Sequence, residues 1–393
     1  SIRRAGGRFL VNIAHAGCVE IAAVGPVEIA DPASVGDRSL LVEAVAQAQE
    51  IATAVPSVHY YTSPSPGSIH CILAAGLRKK ASAGAARAVV YAAENHNRAA
   101  EILEAHVFDL IPPAEKEAVR ARVRFLNTVI GKMSGVVSDE AEVRERALSP
   151  ISARDGRAFL VEAFNRIFIS RILFDDGRVE PVFRRGIEVF EEEDDLMPFE
   201  EAKLYGHNAT HALAAYVGAV MGVRRMADLA ESAVSSFVRT AFLEESGRAL
   251  ICRHQGVDAL FTSEGYREYA DDLLLRMFNP FLGDTVERVG RDPARKLGWD
   301  DRLVGTMRLA LRAGIIPRRF AFGVAAALAV MDPSFLEGVR PPTDYLDPIW
   351  REQMPDPVEK GIILPLVAEA GHRLRSWRER GFCSLEGLFQ PSF

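Results

Sequence analysis

Short apolar runs alternate with helical periodicity over the first third of the chain. β-Branched and aromatic residues predict four strands, over residues 9–13, 18–24, 51–55 and 87–92. Apolar positions three and four apart predict helices over residues 40–49, 68–80 and 97–106. Strands that alternate with helices pair in parallel through right-handed crossovers. The pattern therefore predicts an open, mostly parallel α/β sheet in this part of the chain.

The pattern changes near Ser149-Pro150. Beyond it, apolar residues recur with helical spacing in long amphipathic segments, over residues 157–173, 199–222, 225–247, 263–278, 301–331 and 355–380. An α/β domain followed by a helical one suggests a dinucleotide site with the substrate held between the domains. We therefore predict a Rossmann-like nucleotide-binding domain over residues 1–150 and a mostly α-helical substrate and catalytic domain over residues 151–393.

Composition narrows the classes of partner. The 393 residues are 48% hydrophobic and 25% charged, which excludes a disordered chain, and the net charge of −6 argues against a nucleic-acid partner. No apolar run approaches the roughly 18 residues that a membrane span needs. The four cysteines are scattered without metal-ligand spacing, at Cys18, Cys71, Cys252 and Cys383. These features predict a cytoplasmic protein with free thiols and without a structural zinc site or disulfide framework. We expect a monomer or a small homo-oligomer.

The phosphate-binding glycine motif of a dinucleotide site does not occur in the sequence. Gly6-Gly7 precedes a predicted strand, so it cannot present a phosphate group to the start of a helix. We expect a first strand, glycine loop, helix and strand, on the order of 35–40 residues, to belong before Ser1. The residue that distinguishes NAD from NADP would lie in that unit.

The segment from Glu200 to His211 carries the most informative polar residues. On a helix, Asn208 and His211 lie three residues apart on one face, and Lys203 lies about 80° from His211. Gly206 and Asn208 are unfavourable in a helix interior, so helix propensity has been given up there for another purpose. Spacing alone leaves two interpretations open, a polar catalytic face or a solvated lysine beside a half-buried histidine.

This segment resembles the signature of the polyol-specific long-chain dehydrogenases, the mannitol dehydrogenase family. That signature is a lysine, an asparagine five residues later and a histidine three beyond, as in Lys203, Asn208 and His211. Other segments match in the same order between about residues 50 and 330, namely Ala93-Glu-Asn95, Arg124-Phe-Leu-Asn127, Leu160-Val-Glu-Ala-Phe164, Asn279-Pro-Phe-Leu-Gly-Asp284, Arg288, Asp292-Pro and Lys296-Leu. Within the family, the pattern is most similar to the branch acting on mannitol 1-phosphate.

The resemblance implies hydride transfer between a secondary alcohol and NAD without zinc. It assigns Lys203 as the general base, which requires an amine that is partly neutral near pH 7–9. It places Asn127, Asn208 and His211 as donors around the substrate oxygen. Glu200 falls where the family has a carboxylate that connects the lysine to solvent, and an exposed acid at a helix start is an equal alternative.

The resemblance also suggests binding residues. Arg288 and Lys296, eight residues apart on one predicted helical face, are candidates for binding substrate hydroxyls or a phosphate group. The cofactor would contact the ends of two strands, at Thr53, Ala54, Val55, Glu94 and Asn95.

Three departures from the family pattern leave the substrate and the activity open. Pro56 replaces a glycine near the expected nicotinamide, Leu126 replaces a proline, and Gly131-Lys132 stands where the family has Asp-Arg. A hexuronate reductase of the same family is one alternative, since the cations would bind a carboxylate equally well. A non-catalytic relative that has lost cofactor binding is another.

Overall fold

The computed structural model of the protein describes residues 2–153, 155–164, 166–174 and 183–389. The chain divides into two compact units. Unit 1 consists of Ser1–Ala14 and Val19–Glu200, and unit 2 consists of His15–Cys18 and Glu201–Phe393. The boundary after Glu200 lies beyond the predicted one at residue 150, because the strands that follow residue 150 pair with strands of unit 1.

The described part of unit 1 holds nine strands in two sheets. The strands are β1 (Phe9–Ala14), β2 (Val19–Val24), β3 (Glu50–Thr53), β4 (Ala88–Ala92), β5 (Val123–Ile130), β6 (Ser134–Val137), β7 (Ala158–Glu162), β8 (Ile167–Ser170) and β9 (Phe190–Glu193). One sheet has the order β2-β1-β7-β6 and the other the order β3-β4-β5-β8-β9. The helices of this unit are α1 (Val35–Gln47), α2 (Ile69–Ser82), α3 (Ala99–Asp109), α4 (Pro113–Arg120) and α5 (Glu140–Glu145).

The second sheet contains the parallel arrangement that the sequence predicts. β3, β4 and β5 are parallel, and Thr53 pairs with Ala92, which in turn pairs with Asn127. β4 is buried along its whole length, and α2 and α3 bury Leu73, Leu77 and Leu103 in the same apolar cluster as Val90. The carboxyl ends of β3 and β4 therefore lie at one edge, where open α/β sheets bind their ligands.

Two predictions about strands and helices in unit 1 are wrong. β1 and β2 form an antiparallel pair, because the four residues between them are too few for a parallel crossover. The helix predicted over 157–173 is replaced by β7 and β8. Residues 158–162 alternate between buried and half-buried positions, which is the period of a strand.

Unit 2 is helical and is built around a large apolar core. The short helix α6 (Met197–Glu201) spans the boundary after Glu200. The helices that follow it are α7 (Ala209–Val220), α8 (Ala233–Thr240), α9 (Arg248–His254), α10 (Ser263–Met277), α11 (Val286–Gly290), α12 (Pro293–Lys296), α13 (Arg302–Arg312), α14 (Arg318–Met331), α15 (Thr343–Trp350) and α16 (Pro357–Glu379). α7 and α14 lie at the centre, and most of their side chains are fully buried. This explains why both are apolar on nearly every side.

Two segments of unit 2 have π-helical hydrogen bonding. The first π segment (Ala202–Asn208) joins α6 to α7, and the second (Ala241–Gly247) joins α8 to α9. At their ends, the N–H of Ala209 bonds to the carbonyl of Leu204 and that of Arg248 to the carbonyl of Leu243, each five residues back. Such segments are rare and concentrate at functional sites.

The described residues include no helix that is long and apolar enough to cross a membrane.

Candidate active site

The first π segment brings Lys203 and Asn208 to one face of the helix. In an α-helix, residues five apart point about 140° away from each other. In a π-helical turn the hydrogen bonds join residues five apart, so these residues lie above one another along the axis. Lys203 and Asn208 have this separation and lie within the segment. Because α-helical geometry resumes at Ala209, His211 follows Asn208 by three residues on the same side.

Gly206 is required inside this segment by close packing. A Cβ atom at this position would lie 2.7 Å from the Tyr266 hydroxyl oxygen and 3.2 Å from the Phe242 ring. Glycine is unfavourable in a helix, but its lack of a side chain permits this close approach of neighbouring helices.

His207 and His211 form a pair beside the lysine, and His207 is buried whereas His211 is half-buried. Their ring centroids lie 6.2 Å apart, nearly perpendicular to each other. Burial lowers the pKa of His207 well below its usual 6.5, and the positive charges of Arg276, Lys203 and Arg302 lower it further. Burial lowers the pKa of His211 to about 4. Both imidazoles are therefore neutral at pH 7.

One ring nitrogen of His211 is buried without a partner. Among the described side chains, its Nε2 is one of three buried polar atoms that lack a hydrogen bond. A buried polar group is normally bonded, because leaving it unpaired costs about 1–3 kcal/mol. In the Nε2–H tautomer this atom can donate a hydrogen bond to a ligand oxygen.

Four charged side chains act on the His211 imidazole. Asp284 raises the pKa of His211, whereas Arg288, Arg302 and Lys296 lower it. Arg288 is paired with Asp284, and Arg302 with Asp301 at 2.8 Å, so carboxylates partly balance the cations of this charged cluster. The donors of Arg288 that remain exposed suit an anionic group on a ligand, either a phosphate ester or a carboxylate.

Asp284 fixes the position of Arg288. Its carboxylate is buried and accepts a hydrogen bond from Nε of Arg288, and it forms an ion pair with the guanidinium Nη2. The Arg288 side chain is 52% exposed, so its other donors are accessible. A buried carboxylate of this kind orients the guanidinium.

Lys296 is almost fully buried, and its ammonium group donates to the carbonyl of Arg291. Burial, with the charges of Arg302 and Arg295, lowers the pKa of Lys296 to about 8. The prediction that Arg288 and Lys296 share one helical face is wrong, because Asp292 adopts a left-handed conformation and Pro293 begins a new helix. The two cations belong to α11 and α12 and act together on His211.

In unit 1, Glu94 organises the residues predicted to bind the cofactor. Its carboxylate is 4% exposed and accepts hydrogen bonds from Thr53 Oγ1 and from the backbone N–H of Val55, both at 2.9 Å, and from the Tyr61 hydroxyl. The network ties the segment after β3, including Ala54, to the end of β4. Asn95 follows as an exposed residue at the same edge.

The structure gives the contacts of Asn127 and the position of Glu200, two further predicted site residues. Asn127 lies within β5, where its Oδ1 accepts the backbone N–H of Ala100 at 2.9 Å and its Nδ2 donates to Glu101 at 2.8 Å. Its amide therefore holds the first turn of α3. Glu200 lies half-buried near the end of α6, three residues before Lys203. Neither position tests the assigned role, and both roles stay predictions.

Three comparisons connect these features to known proteins. The family model described as Mannitol dehydrogenase C-terminal domain matches residues 195–356, which include both π segments and the charged cluster. A mannitol-1-phosphate 5-dehydrogenase of Pseudarthrobacter chlorophenolicus is 31% identical over 299 residues, covering 76% of this chain and 68% of the relative. A second protein of that name, from Bacillus licheniformis, is 30% identical over 322 residues, covering 82% and 76%.

The chain belongs to the mannitol dehydrogenase family. The resemblance in the sequence is thereby confirmed, and with it the prediction of an oxidoreductase.

Two solved structures of sugar-alcohol dehydrogenases share the fold. A substrate-free D-sorbitol dehydrogenase aligns with a TM-score of 0.74 at 15% identity, covering 97% of this chain and 84% of the other. A Pseudomonas fluorescens mannitol 2-dehydrogenase, solved with NAD and D-mannitol, aligns with a TM-score of 0.65 at 17% identity, covering 99% and 85%. The predicted class, an α/β domain with a mostly helical one, is confirmed.

Sequence reasoning missed several residues of this family member's site. His207 is next to the signature, but nothing in the spacing marks it as buried. Asp284 and Arg302 lie 73 and 91 residues from His211, and Tyr61 lies 33 residues from Glu94. A buried aspartate four residues before Arg288 is the one usable signal, since that spacing places a carboxylate beside a guanidinium on a helical turn.

A metal site built from side chains would need at least three ligating residues close together. Over the ranges that the structure describes, no three His, Cys, Asp or Glu side chains group in a way that could hold a metal ion.

The neutral histidines predict a loss of stability in acid. The folded pKa of His211 is about 4 and its usual value is 6.5, so the unfolded chain binds the proton first as pH falls. This contribution to stability is complete above pH 6.5 and is lost towards pH 4, and His207 acts in the same direction. Urea unfolding between pH 4 and pH 7 will show a shallower pH dependence in His211→Gln. The exposed His372→Gln should follow the wild type, and an unchanged slope in His211→Gln would contradict the assignment.

Proposed function

We propose that the chain catalyses NAD-dependent, zinc-independent oxidation of a secondary alcohol in a sugar alcohol or polyol phosphate, such as mannitol 1-phosphate. The observation that carries the proposal is the π-helical turn, which aligns Lys203 with Asn208 and places both before His211. The relatives named mannitol-1-phosphate 5-dehydrogenase support the substrate class.

The residues of unit 1 fit the nicotinamide end of NAD. Thr53, Glu94 and Asn95 lie at the carboxyl edge of parallel strands, where Glu94 fixes the backbone at Val55. The backbone and the exposed Asn95 would hold the cofactor at this edge. NAD, when bound, supplies the hydride acceptor.

Lys203 is proposed to take the proton of the substrate hydroxyl. The hydride can leave the carbinol carbon only as its oxygen loses that proton, so a base must contact the oxygen. Asn208 and the Nε2–H of neutral His211 donate to the oxygen as negative charge develops on it. A neutral imidazole suits this role, because it donates a hydrogen bond without competing for the proton.

The exposed donors of Arg288 in the charged cluster around His211 support a phosphorylated substrate. Arg288 is half-exposed and oriented by Asp284, whereas Lys296 is buried and donates to a carbonyl. Arg288 is therefore proposed as the residue that contacts the phosphate group, and Lys296 as a nearby charge.

Arg288→Ala is expected to raise the KM of a polyol phosphate by about tenfold or more, the loss typical of one charge-assisted hydrogen bond. The KM of the non-phosphorylated polyol should rise less, because it lacks the anionic group. Steady-state kinetics with both substrates measures the difference, and Arg291→Ala on the neighbouring exposed position is the matched control. An equal change for both substrates would count against a phosphate contact.

The same cluster favours one other function, reduction of a hexuronate by NADH, since cations bind carboxylates as well as phosphates. A panel of polyols, polyol phosphates and aldonates, each with NAD or NADP, separates the two. Turnover of a polyol phosphate with NAD is the expected result, and preference for an aldonate would replace the proposal. Calorimetry with NADH covers the third possibility, a protein without cofactor binding.

A further inference from the structure

The backbone carbonyl of Tyr205 has an external partner in the middle of the first π segment. The Ser246 hydroxyl donates a hydrogen bond to this oxygen at 2.8 Å. Ser246 is fully buried, so water cannot replace it. Tyr205 lies two residues after Lys203 and three before Asn208.

The bond joins the two π segments to each other. Ser246 belongs to the second π segment, and Gly247 beside it packs against the Tyr266 ring, with a Cβ position only 2.7 Å from that ring. Gly206 of the first segment packs against the hydroxyl of the same tyrosine. The two irregular segments thus contact each other through this hydrogen bond, through the shared Tyr266 side chain and through the packing of the Phe242 ring against Gly206.

A second hydroxyl, that of Thr306, lies near the same carbonyl but has a closer acceptor within its own helix. Thr306 Oγ1 is 3.1 Å from the Tyr205 oxygen and 2.5 Å from the carbonyl of Arg302. A hydroxyl has one hydrogen to donate, and the shorter contact is within its own helix. Ser246 is therefore the principal donor to Tyr205.

We propose that Ser246 is a positioning residue, which holds the π-helical turn so that Lys203 and Asn208 stay on one face. A π turn is less favourable than an α turn, so it needs contacts from outside to persist. The bond to Tyr205 lies between the two residues whose alignment it maintains. The inference rests on the proposed function of Lys203 and Asn208 and adds a residue that does not touch the substrate.

Ser246→Ala tests the inference. We expect kcat to fall by about tenfold, since small misplacements of catalytic groups have effects of this size or larger. The KM of the polyol should change less than kcat, and NADH binding should be unchanged. The rate is expressed per NADH-binding site, which removes any effect of unfolded protein. Ser236→Ala is the matched control, because Ser236 on α8 is exposed and bonds only within its own helix.

Ser246→Cys provides a second variant of nearly the same size. A thiol is a weak donor, so kcat should lie between those of the wild type and Ser246→Ala. If Ser246→Ala does not fold, a reduced kcat in Ser246→Cys supports the inference. A wild-type kcat in every Ser246 variant that folds would overturn the role of Ser246. If Lys203→Ala is inactive in the same assay, the proposed function stays intact. Normal turnover in Lys203→Ala would instead remove the proposed function.

Discussion

Lys203→Ala is expected to lower kcat by about 10²–10⁴-fold, the range that a general base contributes. The physical reason is basicity: an amide is not a base, and the pKa of His211 is lowered to about 4, so neither neighbour can readily take the alcohol proton. Asn208 and His211 can instead donate hydrogen bonds to the oxygen, through an amide N–H and a neutral imidazole N–H. NADH binding should persist, because the residues proposed for it belong to unit 1.

Two controls make the result specific. Lys360→Ala removes a lysine of α16 that pairs with Asp347 at 2.8 Å, and its kcat should equal that of the wild type. Small primary amines added to Lys203→Ala should restore part of the turnover, since they supply the missing base. An unreduced kcat in Lys203→Ala would exclude Lys203 as the base.

Glu94→Ala is expected to lower the free energy of unfolding by roughly 2–5 kcal/mol, since each buried donor left without a partner costs about 1–3 kcal/mol. Three donors lose their acceptor, namely the Thr53 hydroxyl, the Val55 N–H and the Tyr61 hydroxyl. The backbone after β3 should then move, so NADH affinity is expected to fall as well. Urea unfolding and calorimetry measure the two effects.

Tyr61→Phe separates the parts of this network. It removes one donor and leaves the bonds to Thr53 and Val55 in place, so the loss of stability should be about 1 kcal/mol. Glu101→Ala is a control for loss of a carboxylate in the same unit, because Glu101 is exposed and accepts only from Asn127. Equal stability of Glu94→Ala and Glu101→Ala would contradict the network.

Long amphipathic helices were predictable because burial on one side leaves a strong period in the sequence. α10 and α16 lie close to their predicted ranges. β7 and β8 were mistaken for a helix because apolar residues in 157–173 also fall three and four apart, and strand pairing with β1 and β5 depends on residues far away in the chain. Local pattern carries no information about such partners.

Only the part of the candidate site whose residues are close together in the sequence could be predicted. Lys203, Asn208 and His211 lie within nine residues, so their spacing identified the family. The π geometry that aligns them depends on contacts with Tyr266 and Ser246, which follow much later in the sequence. For the same reason, the charges that act on His211 could not be assigned from spacing.

The close approach at Gly206 links two positions that are distant in sequence. A methyl group at residue 206 would collide with the phenolic oxygen of Tyr266, but phenylalanine at residue 266 would remove that oxygen. Alanine at residue 206 should therefore be tolerated far better in a Tyr266→Phe background than alone. Residues 206 and 266 are therefore expected to change together during evolution. Glycine at residue 206 permits tyrosine at residue 266, whereas alanine at residue 206 should favour phenylalanine there.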